Sequence, residues 1–369
     1  MIKRLYADNY RCLVNFEWEP TPETLVLGLN GGGKSAALDV VRLLQAWVCG
    51  WKSVDDIVRA SDLTAWQTHG VVTLELDADV RGSALSYRVE FDCSRELGKS
   101  RVQQEQLREG ERTLILRDKD GVQLHKDSGE KGGRFPLSWS QSAIAAVEPS
   151  HVNTKLQGFR DFIAGIVVLR PLPPLFEKES RAEADRPDIA LGNIVSWYRR
   201  LMSNQKTLVT LRDLLKTVWP DFDYVQLEES GRDAKLMQLV FEQTGSLRST
   251  VTLNMGQLSD GERMLLALYL LAAYQQTNEH PVILVDEPDN FVGLAEIQPW
   301  LEQMLDTRPA DGQLIVVSHS PEAIATMGEK RVALFSRAGH SAPTQVRRVP
   351  PDETGLPLAE RIARGWIDA

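Results

Sequence analysis

Apolar and polar positions fall into several distinct patterns along the 369 residues. Between residues 1 and 28, Tyr10, Leu13, Phe16 and Trp18 sit among polar neighbours, which predicts two short strands around a turn. The continuous run Thr24-Leu-Val-Leu27 predicts a buried strand that leads into glycines. From 34 to 48 the period changes: Leu38, Val41, Leu44, Trp47 and Val48 recur at helical spacing. Alternation returns in Val72–Val80 and Ala84–Phe91, and Thr113-Leu-Ile-Leu116 follows. Arg81-Gly82 and Asp120-Gly121 mark turns, so this stretch predicts an antiparallel sheet with one wet face. His125 to Arg134 is polar and glycine-rich and predicts a mobile loop.

Residues 140–218 predict mainly helix, interrupted by a proline- and charge-rich linker at 171–187. Trp197, Leu201, Leu208, Leu211, Leu214 and Leu215 outline an amphipathic pair of helices. Strands are predicted near 223–229 and 235–242. A long apolar helix begins after Leu258–Glu262, and Pro281–Val285 and Gln313–Val317 predict buried strands. A small strand pair and a helix over Leu358–Trp366 are expected to close the chain. No internal repeat and no sustained heptad run is present.

Composition narrows the class without choosing a function. The chain is 43% hydrophobic and 25% charged, as ordinary globular proteins are. Its net charge of -9 argues against a nucleic-acid coat, while a local basic groove stays open. Three distant cysteines, Cys12, Cys49 and Cys93, make neither a disulfide framework nor a zinc site, and a reducing cytoplasmic location is expected. The opening residues lack an apolar signal core. The strongest apolar run, Met264 to Tyr274, is shorter than the ~20 residues of a membrane span.

The candidate chemistry lies in four segments. Gly28-Leu-Asn-Gly-Gly-Gly33-Lys34-Ser35 stands between the predicted strand and helix. That context lets backbone N–H groups at a helix start wrap phosphates. Lys34 would reach the β- and γ-phosphates, and the Ser35 hydroxyl would ligate Mg²⁺. The apolar run Val282–Val285 ends in Asp286 and Glu287, where one carboxylate can face Mg²⁺ and the next can polarise water. Leu258-Ser-Asp-Gly-Glu262 is complete as a plain helix start, with Ser259 and Glu262 forming a capping box. The same geometry offers an exposed serine and Gly261 to a γ-phosphate. His319, in Ser318-His-Ser-Pro321, ends a buried strand; such a histidine is structural or a γ-phosphate sensor.

Other clusters carry less. Glu75, Asp77 and Asp79 could imitate a nuclease metal site. They alternate with Leu74, Leu76, Ala78 and Val80, so a wet strand face accounts for them. His69, His125, His151, His280 and His340 have no partners at metal-ligand spacing.

The four segments, in this order, resemble the ABC-type ATPase heads of the structural-maintenance-of-chromosomes, RecF and OLD group. They look most like stand-alone bacterial AAA-type ATP-binding proteins. The opening Asn9-Tyr10-Arg11-Cys12-Leu13 is similar to that group's Asn-Phe-Arg/Lys start, and Leu-Ser-Asp-Gly-Glu to its signature. The resemblance covers nearly the whole chain. It implies an α/β P-loop fold of ABC-ATPase type, with a mixed core sheet, an antiparallel β subdomain and a helical subdomain. The single head would run over 1–369: an N-terminal lobe 1–139, a helical middle 140–255 and a signature lobe 256–369.

ATP and Mg²⁺ are the cofactors so implied, with two ATP molecules sandwiched in a head-to-tail homodimer. Nucleotide binding is assigned to Arg11, Asn30, Gly31, Gly32, Gly33, Lys34, Ser35 and Ala36 of one chain. Ser259, Gly261 and Glu262 would come from the other. Asp286 carries over as the Mg²⁺-side acid, Glu287 as catalytic base and His319 as switch histidine. A loop glutamine should also touch Mg²⁺, and Gln141 is the candidate.

Two departures matter. Relatives often carry Leu-His-Pro after the acids, whereas here Asp289-Asn290 leads into Phe291-Val-Gly-Leu294. No long coiled coil and no fused nuclease domain is expected. The resemblance therefore implies a separate effector, a nuclease in phage defence being the leading candidate. A RecF-like DNA-repair ATPase and the ATPase subunit of a membrane transporter are the rivals. DNA binding stays open, and no membrane segment is expected.

Overall fold

The computed structural model describes residues 1–93, 98–243, 249–350, 355–364 and 367. The chain divides into two compact units, one of residues 1–166, 330–356 and 360–369, the other of residues 167–329 and 357–359.

The first unit opens with β1 (Ile2–Asp8), β2 (Phe16–Trp18), β3 (Glu23–Leu27), α1 (Lys34–Val48) and α2 (Val54–Ile57). Then come β4 (Val71–Val80), β5 (Ser83–Asp92), β6 (Arg101–Glu109), β7 (Arg112–Asp118), β8 (Gly121–His125), β9 (Lys131–Phe135) and α3 (Thr154–Gly165). An antiparallel sheet forms in the order β2-β1-β4-β5-β6-β7-β8-β9. Its alternation follows the hydropathy: Val72, Leu74, Leu76 and Ala78 are buried, while the acids between them face outward. Those acids have partners within the fold. Arg4 donates to Glu75 at 2.8 Å, Arg88 pairs with Glu75, and Asp79 accepts from the Gly82 N–H at 3.0 Å. Among the described residues, no group of three or more His, Cys, Asp or Glu could hold a metal.

Helices α1 and α3 cover apolar side chains of this sheet. Trp47 meets Phe91 edge-on at 5.2 Å, and Phe159 packs on Tyr87 at 5.4 Å. Gln45 of α1 donates to the Ile163 and Ile166 carbonyls at the end of α3, satisfying groups that the helix leaves open.

Sequence pattern missed two strands here. β6 is Arg-Val-Gln-Gln-Glu-Gln-Leu-Arg-Glu, too polar to show a period, yet it pairs along both edges. β9 lies in the stretch expected to be a mobile loop; residues Lys131–Phe135 pair with β8 instead. Backbone pairing decides both.

The second unit begins with β10 (Val167–Leu169), β11 (Glu179–Ser180), α4 (Ile194–Leu201) and α5 (Gln205–Val218). β12 (Phe222–Glu229), β13 (Lys235–Glu242) and β14 (Thr250–Asn254) follow and pair antiparallel, with β11 on the outer side of β13. β14 was not among the expected strands, although Thr-Val-Thr-Leu-Asn alternates as a strand does. Next are α6 (Asp260–Thr277), β15 (Val282–Asp286), α7 (Leu294–Asp306), β16 (Gln313–Val317) and α8 (Pro321–Met327). β10, β15 and β16 are parallel neighbours, and all five residues of β15 and of β16 are buried. Helix α6 is apolar around most of its circumference, as a helix enclosed on several sides must be. Trp300 of α7 is fully buried and donates its indole N–H to the Leu268 carbonyl at 2.8 Å.

The chain then returns to the first unit with β17 (Val332–Ser336) and β18 (Gln345–Arg348). β17 runs parallel to β3 and antiparallel to β18. Helix α9 (Leu358–Ala363) follows; residues 365 and 366 of the helix expected there lie outside the described residues. Among the described residues, no helix is long and apolar enough to cross a membrane.

Candidate functional site

The glycine loop joins β3 to α1, as strand, loop and helix require. Gly28 has φ 152° and Gly33, the N-cap of α1, has φ 100°, values that L side chains rarely adopt. Space forbids side chains there as well. A Cβ on Gly28 would collide with the Phe335 carbonyl oxygen, and one on Gly33 with the Thr344 hydroxyl. The loop therefore lies directly against the β17–β18 hairpin. Lys34 is buried, 6% exposed, and its ammonium donates to the Gly28 and Leu29 carbonyls, the latter at 3.2 Å. Leu29, Asn30 and Gly31 are exposed, while Gly32, Gly33 and Ala36 are buried.

Arg11 has left-handed backbone, φ 51°. Its guanidinium pairs with Asp39, one turn beyond Ser35 on α1, and lies 5.1 Å over the Tyr10 ring. Neighbouring Asn9 is fully buried and joins Thr64, His69 and Val71 through its side-chain amide.

Gln141 is exposed, on a loop held from below by a buried ionic network. Arg117 donates to the Gln141 carbonyl and, at 2.7 Å, to the Ser138 carbonyl. Glu105, 0% exposed, accepts from Ser142 Oγ and the Ala143 N–H, both at 2.7 Å, and from Tyr87 Oη at 2.9 Å. Burial raises the Glu105 carboxyl above its ordinary value and lowers Arg117. Sequence reading passed over both: Glu105 lies on β6, which shows no apolar period, and Arg117 is a single charged residue after the apolar run of β7.

In the second unit, Ser259 caps α6. Its Oγ accepts from the Glu262 N–H at 3.3 Å, and Glu262 Oε2 accepts from the Ser259 N–H at 2.7 Å. The capping box predicted from sequence is therefore present. A Cβ on Gly261 would stand 3.0 Å from the Phe291 carbonyl oxygen, tighter than most such contacts.

Three neighbouring parallel strands of this unit end together. Asp286 closes β15, 5% exposed, and is in register with Val317 at the end of β16. Glu287 follows with φ 53°, a strained value for a non-glycine residue, and donates its N–H to the Val317 carbonyl at 2.8 Å. Asn290 Nδ2 donates to Glu287 Oε2 at 2.8 Å. His319, exposed, lies two residues past Val317. The structure thus gathers Asp286, Glu287 and His319 at adjacent carboxyl ends of strands, where α/β sheets place ligand sites. It adds Arg170, the residue after β10: Nε stands 3.5 Å from Asp286 Oδ2, and Nη2 3.7 Å from Glu287 Oε2. Sequence reading placed that stretch in helix. The signal available was the apolar run Ile166–Leu169 closed by Arg170-Pro171.

Taken each within its own unit, the Ser35 hydroxyl at the start of α1 and the Asp286 carboxylate at the end of β15 are oxygen donors of the hard kind that Mg²⁺ takes.

Comparison with known proteins agrees with the geometry. The family model described as RecF/RecN/SMC N terminal domain matches residues 1–342. No curated protein matches the chain. An SMC head solved bound to the C-winged helix domain of ScpA aligns over 94% of this chain and 98% of its own, with TM-score 0.60 and 15% identity. The SMC head domain from Thermotoga maritima aligns over 95% and 99%, with TM-score 0.50 and 15% identity. These likenesses establish the fold: an α/β P-loop fold of ABC-ATPase type with mixed and antiparallel sheets.

The Glu105 network yields a pH prediction. A raised carboxyl pKa means that the folded state prefers the proton. The stability from protonated Glu105 is complete below the ordinary value of 4.5 and is lost as pH rises through the folded value. Glu105→Gln stays neutral throughout. The melting temperature of the parent, minus that of the variant, should therefore fall as pH is raised from about 4 to 7. A difference that is flat or rising over that window would mean that burial does not govern this carboxyl.

Proposed function

The chain belongs to the RecF/RecN/SMC N-terminal domain family, and we propose that it binds ATP with Mg²⁺, hydrolyses it, and dimerises around two ATP molecules to regulate a separate effector. The observation that carries this reading is the end of β15. A buried carboxylate is followed by a second one held in strained backbone and oriented by Asn290. Strain of this kind persists only where the surroundings enforce it, and it gathers at working residues.

In the proposed reaction, backbone N–H groups of residues 30–36 and the Lys34 ammonium bind the phosphates. Ser35 and Asp286 would hold Mg²⁺, with Gln141 as the loop glutamine, and the ion would neutralise charge on the phosphate oxygens. Arg11 contributes to nucleotide binding. Glu287 takes a proton from the attacking water: Asn290 occupies Oε2, which leaves Oε1 for that water. His319 holds a γ-phosphate oxygen. From a second copy, Ser259, Gly261 and Glu262 would complete the site.

Dimerisation finds support in the segment after Glu287. Phe291 and Leu294 are 48% and 58% exposed, and the Phe291 carbonyl overlies Gly261 of the signature. Apolar side chains left outward beside the signature suit a face that another copy covers. The effector is proposed to be a nuclease of bacterial anti-phage defence. That step rests on the resemblance, since fold alone does not give function. Co-purification with the products of neighbouring genes, with and without ATP, tests it; recovery of repair proteins or a permease instead would overturn it.

Lys34→Ala should lose ATP affinity by about 10- to 100-fold, the worth of a charge-assisted hydrogen bond. Nucleotide titration reads this, and unchanged affinity in a folded variant would reduce the glycine loop to a turn.

Glu287→Gln should bind ATP but hydrolyse it roughly 10²- to 10⁴-fold more slowly. Light scattering should then find an ATP-trapped dimer. Turnover at the parental rate removes Glu287 from the role of base.

Ser259→Arg should leave ATP binding by one subunit intact and block pairing. If Ser259 were only a helix cap, its loss would cost about 1 kcal/mol of stability and leave the ATPase competent. Mixing Lys34→Ala with Ser259→Arg subunits should restore part of the activity, because one composite site then lacks both defects. Full activity of Ser259→Arg alone would end the shared-site mechanism.

A further inference from the structure

Arg170 has no part in the roles assigned above, yet it faces both acids at the end of β15. Its strand, β10, is parallel to β15 in the register Leu169↔Val285, so residue 170 falls beside Asp286. The backbone there is fixed, since the Arg170 N–H donates to the Ile189 carbonyl at 2.6 Å. The guanidinium fork spans the pair, with Nε toward Asp286 and Nη2 toward Glu287. The three side chains differ in exposure: Asp286 is 7% exposed, Glu287 29% and Arg170 45%. The acids are thus set into the fold, while the cation stands at the water side and can leave without disturbing packing.

We propose that Arg170 is a positioning residue that clamps the Asp286–Glu287 carboxylates and must yield them before a divalent cation is held there. This rests on the proposed ATPase reading, and names the element that regulates access to its acid pair. The physics is competition for one pair of carboxylates. Two adjacent carboxylates beside a buried strand end need a counter-charge. A planar guanidinium can meet both at once, whereas an ammonium acts as a single point. With the clamp in place, a bare cation meets compensated acids and a repelling charge. The Asp286 oxygens are then committed to a cation, and Glu287 is released to its water, only when other ligands, such as phosphate oxygens, help to displace Arg170.

Mn²⁺ is the probe, and the nucleotide-free full chain the sample. Free Mn²⁺ is counted by electron paramagnetic resonance, which needs no turnover. Arg170→Ala should bind Mn²⁺ about tenfold more tightly than the parent. Arg170→Lys should show a smaller gain, because charge is kept and the fork is lost. Adding Asp286→Asn to Arg170→Ala should abolish the gain. Arg212→Ala, which removes a cation paired with Asp223 elsewhere in the same unit, should leave Mn²⁺ affinity unchanged. Equal Mn²⁺ affinity in Arg170→Ala and parent overturns the clamp, as does an equal gain in Arg212→Ala. If Arg170→Ala does not fold, Arg170→Lys decides alone, and no gain overturns the proposal. ATP titration of the parent is read separately: a parent that binds no ATP defeats the ATPase reading, while the Mn²⁺ shift still reports on the clamp.

Discussion

A strand buried along all five residues can place charge only where it stops. β15 is flanked by parallel strands on both edges, and its side chains from Val282 to Val285 are apolar and enclosed. Carboxylates anywhere before Asp286 would be desolvated at a cost of several kcal/mol. At the strand end, Asp286 is nearly buried yet reaches polar surroundings. The chain then turns sharply, through the left-handed Glu287 and the Val317 carbonyl that receives its N–H. β10 and β16 end at the same level, so whatever follows them stands beside the acids. That is why Arg170 and His319, 149 residues apart in sequence, follow the strands on either side of the one that ends in the two carboxylates.

The glycine loop of the other unit obeys a different constraint, that of space. Gly28 and Gly33 leave no room for a Cβ because the β17–β18 hairpin presses on them. Arg337 of that hairpin reinforces the contact: it donates to the Gly31 carbonyl at 3.1 Å and to the Ala342 carbonyl at 2.9 Å, and lies 5.6 Å over the Trp66 ring. Thr344 donates its N–H to the Cys12 carbonyl at 3.0 Å, which ties the hairpin to the segment carrying Arg11. The loop's curvature is thus imposed by residues some 300 positions away. A loop of glycines without such a backing would be free to sample many shapes, and would lose more entropy on meeting phosphate.

What could be read from sequence was what repeats or alternates within a short window. α1 was legible over Lys34–Val48 because one face of it is apolar, and β4 and β5 because each second residue is. β15 and β16 were legible as apolar runs followed by chemistry-bearing residues. β6 and β9 were not, since their side chains are largely polar and only their partners make them strands. The same limit hid Glu105: a buried carboxyl in place of an apolar side chain breaks the period that would reveal β6. Arg170 was hidden by the shortness of β10. Three apolar residues before a proline do not separate a strand from the end of a helix.

Ser259 shows how one arrangement can serve two purposes without contradiction. Its Oγ accepts the Glu262 N–H, and also lies 2.8 Å from Glu262 Oε2, to which it donates its proton. The cap depends on the first contact, through an oxygen lone pair. A phosphate oxygen would compete only for the second, through the hydroxyl proton. Glu262 can give up that hydrogen bond and still accept the Ser259 N–H at 2.7 Å, so the helix start survives the exchange. Engagement of an anion would also bring it to the positive end of α6, which Asp260 and Glu262 partly neutralise in the absence of one. The first turn of α6 is therefore stable by itself and can turn its hydroxyl outward at little cost. Gly261 answers to packing: a Cβ there would stand 3.0 Å from the Phe291 carbonyl oxygen, so the segment after Glu287 lies directly against this first turn.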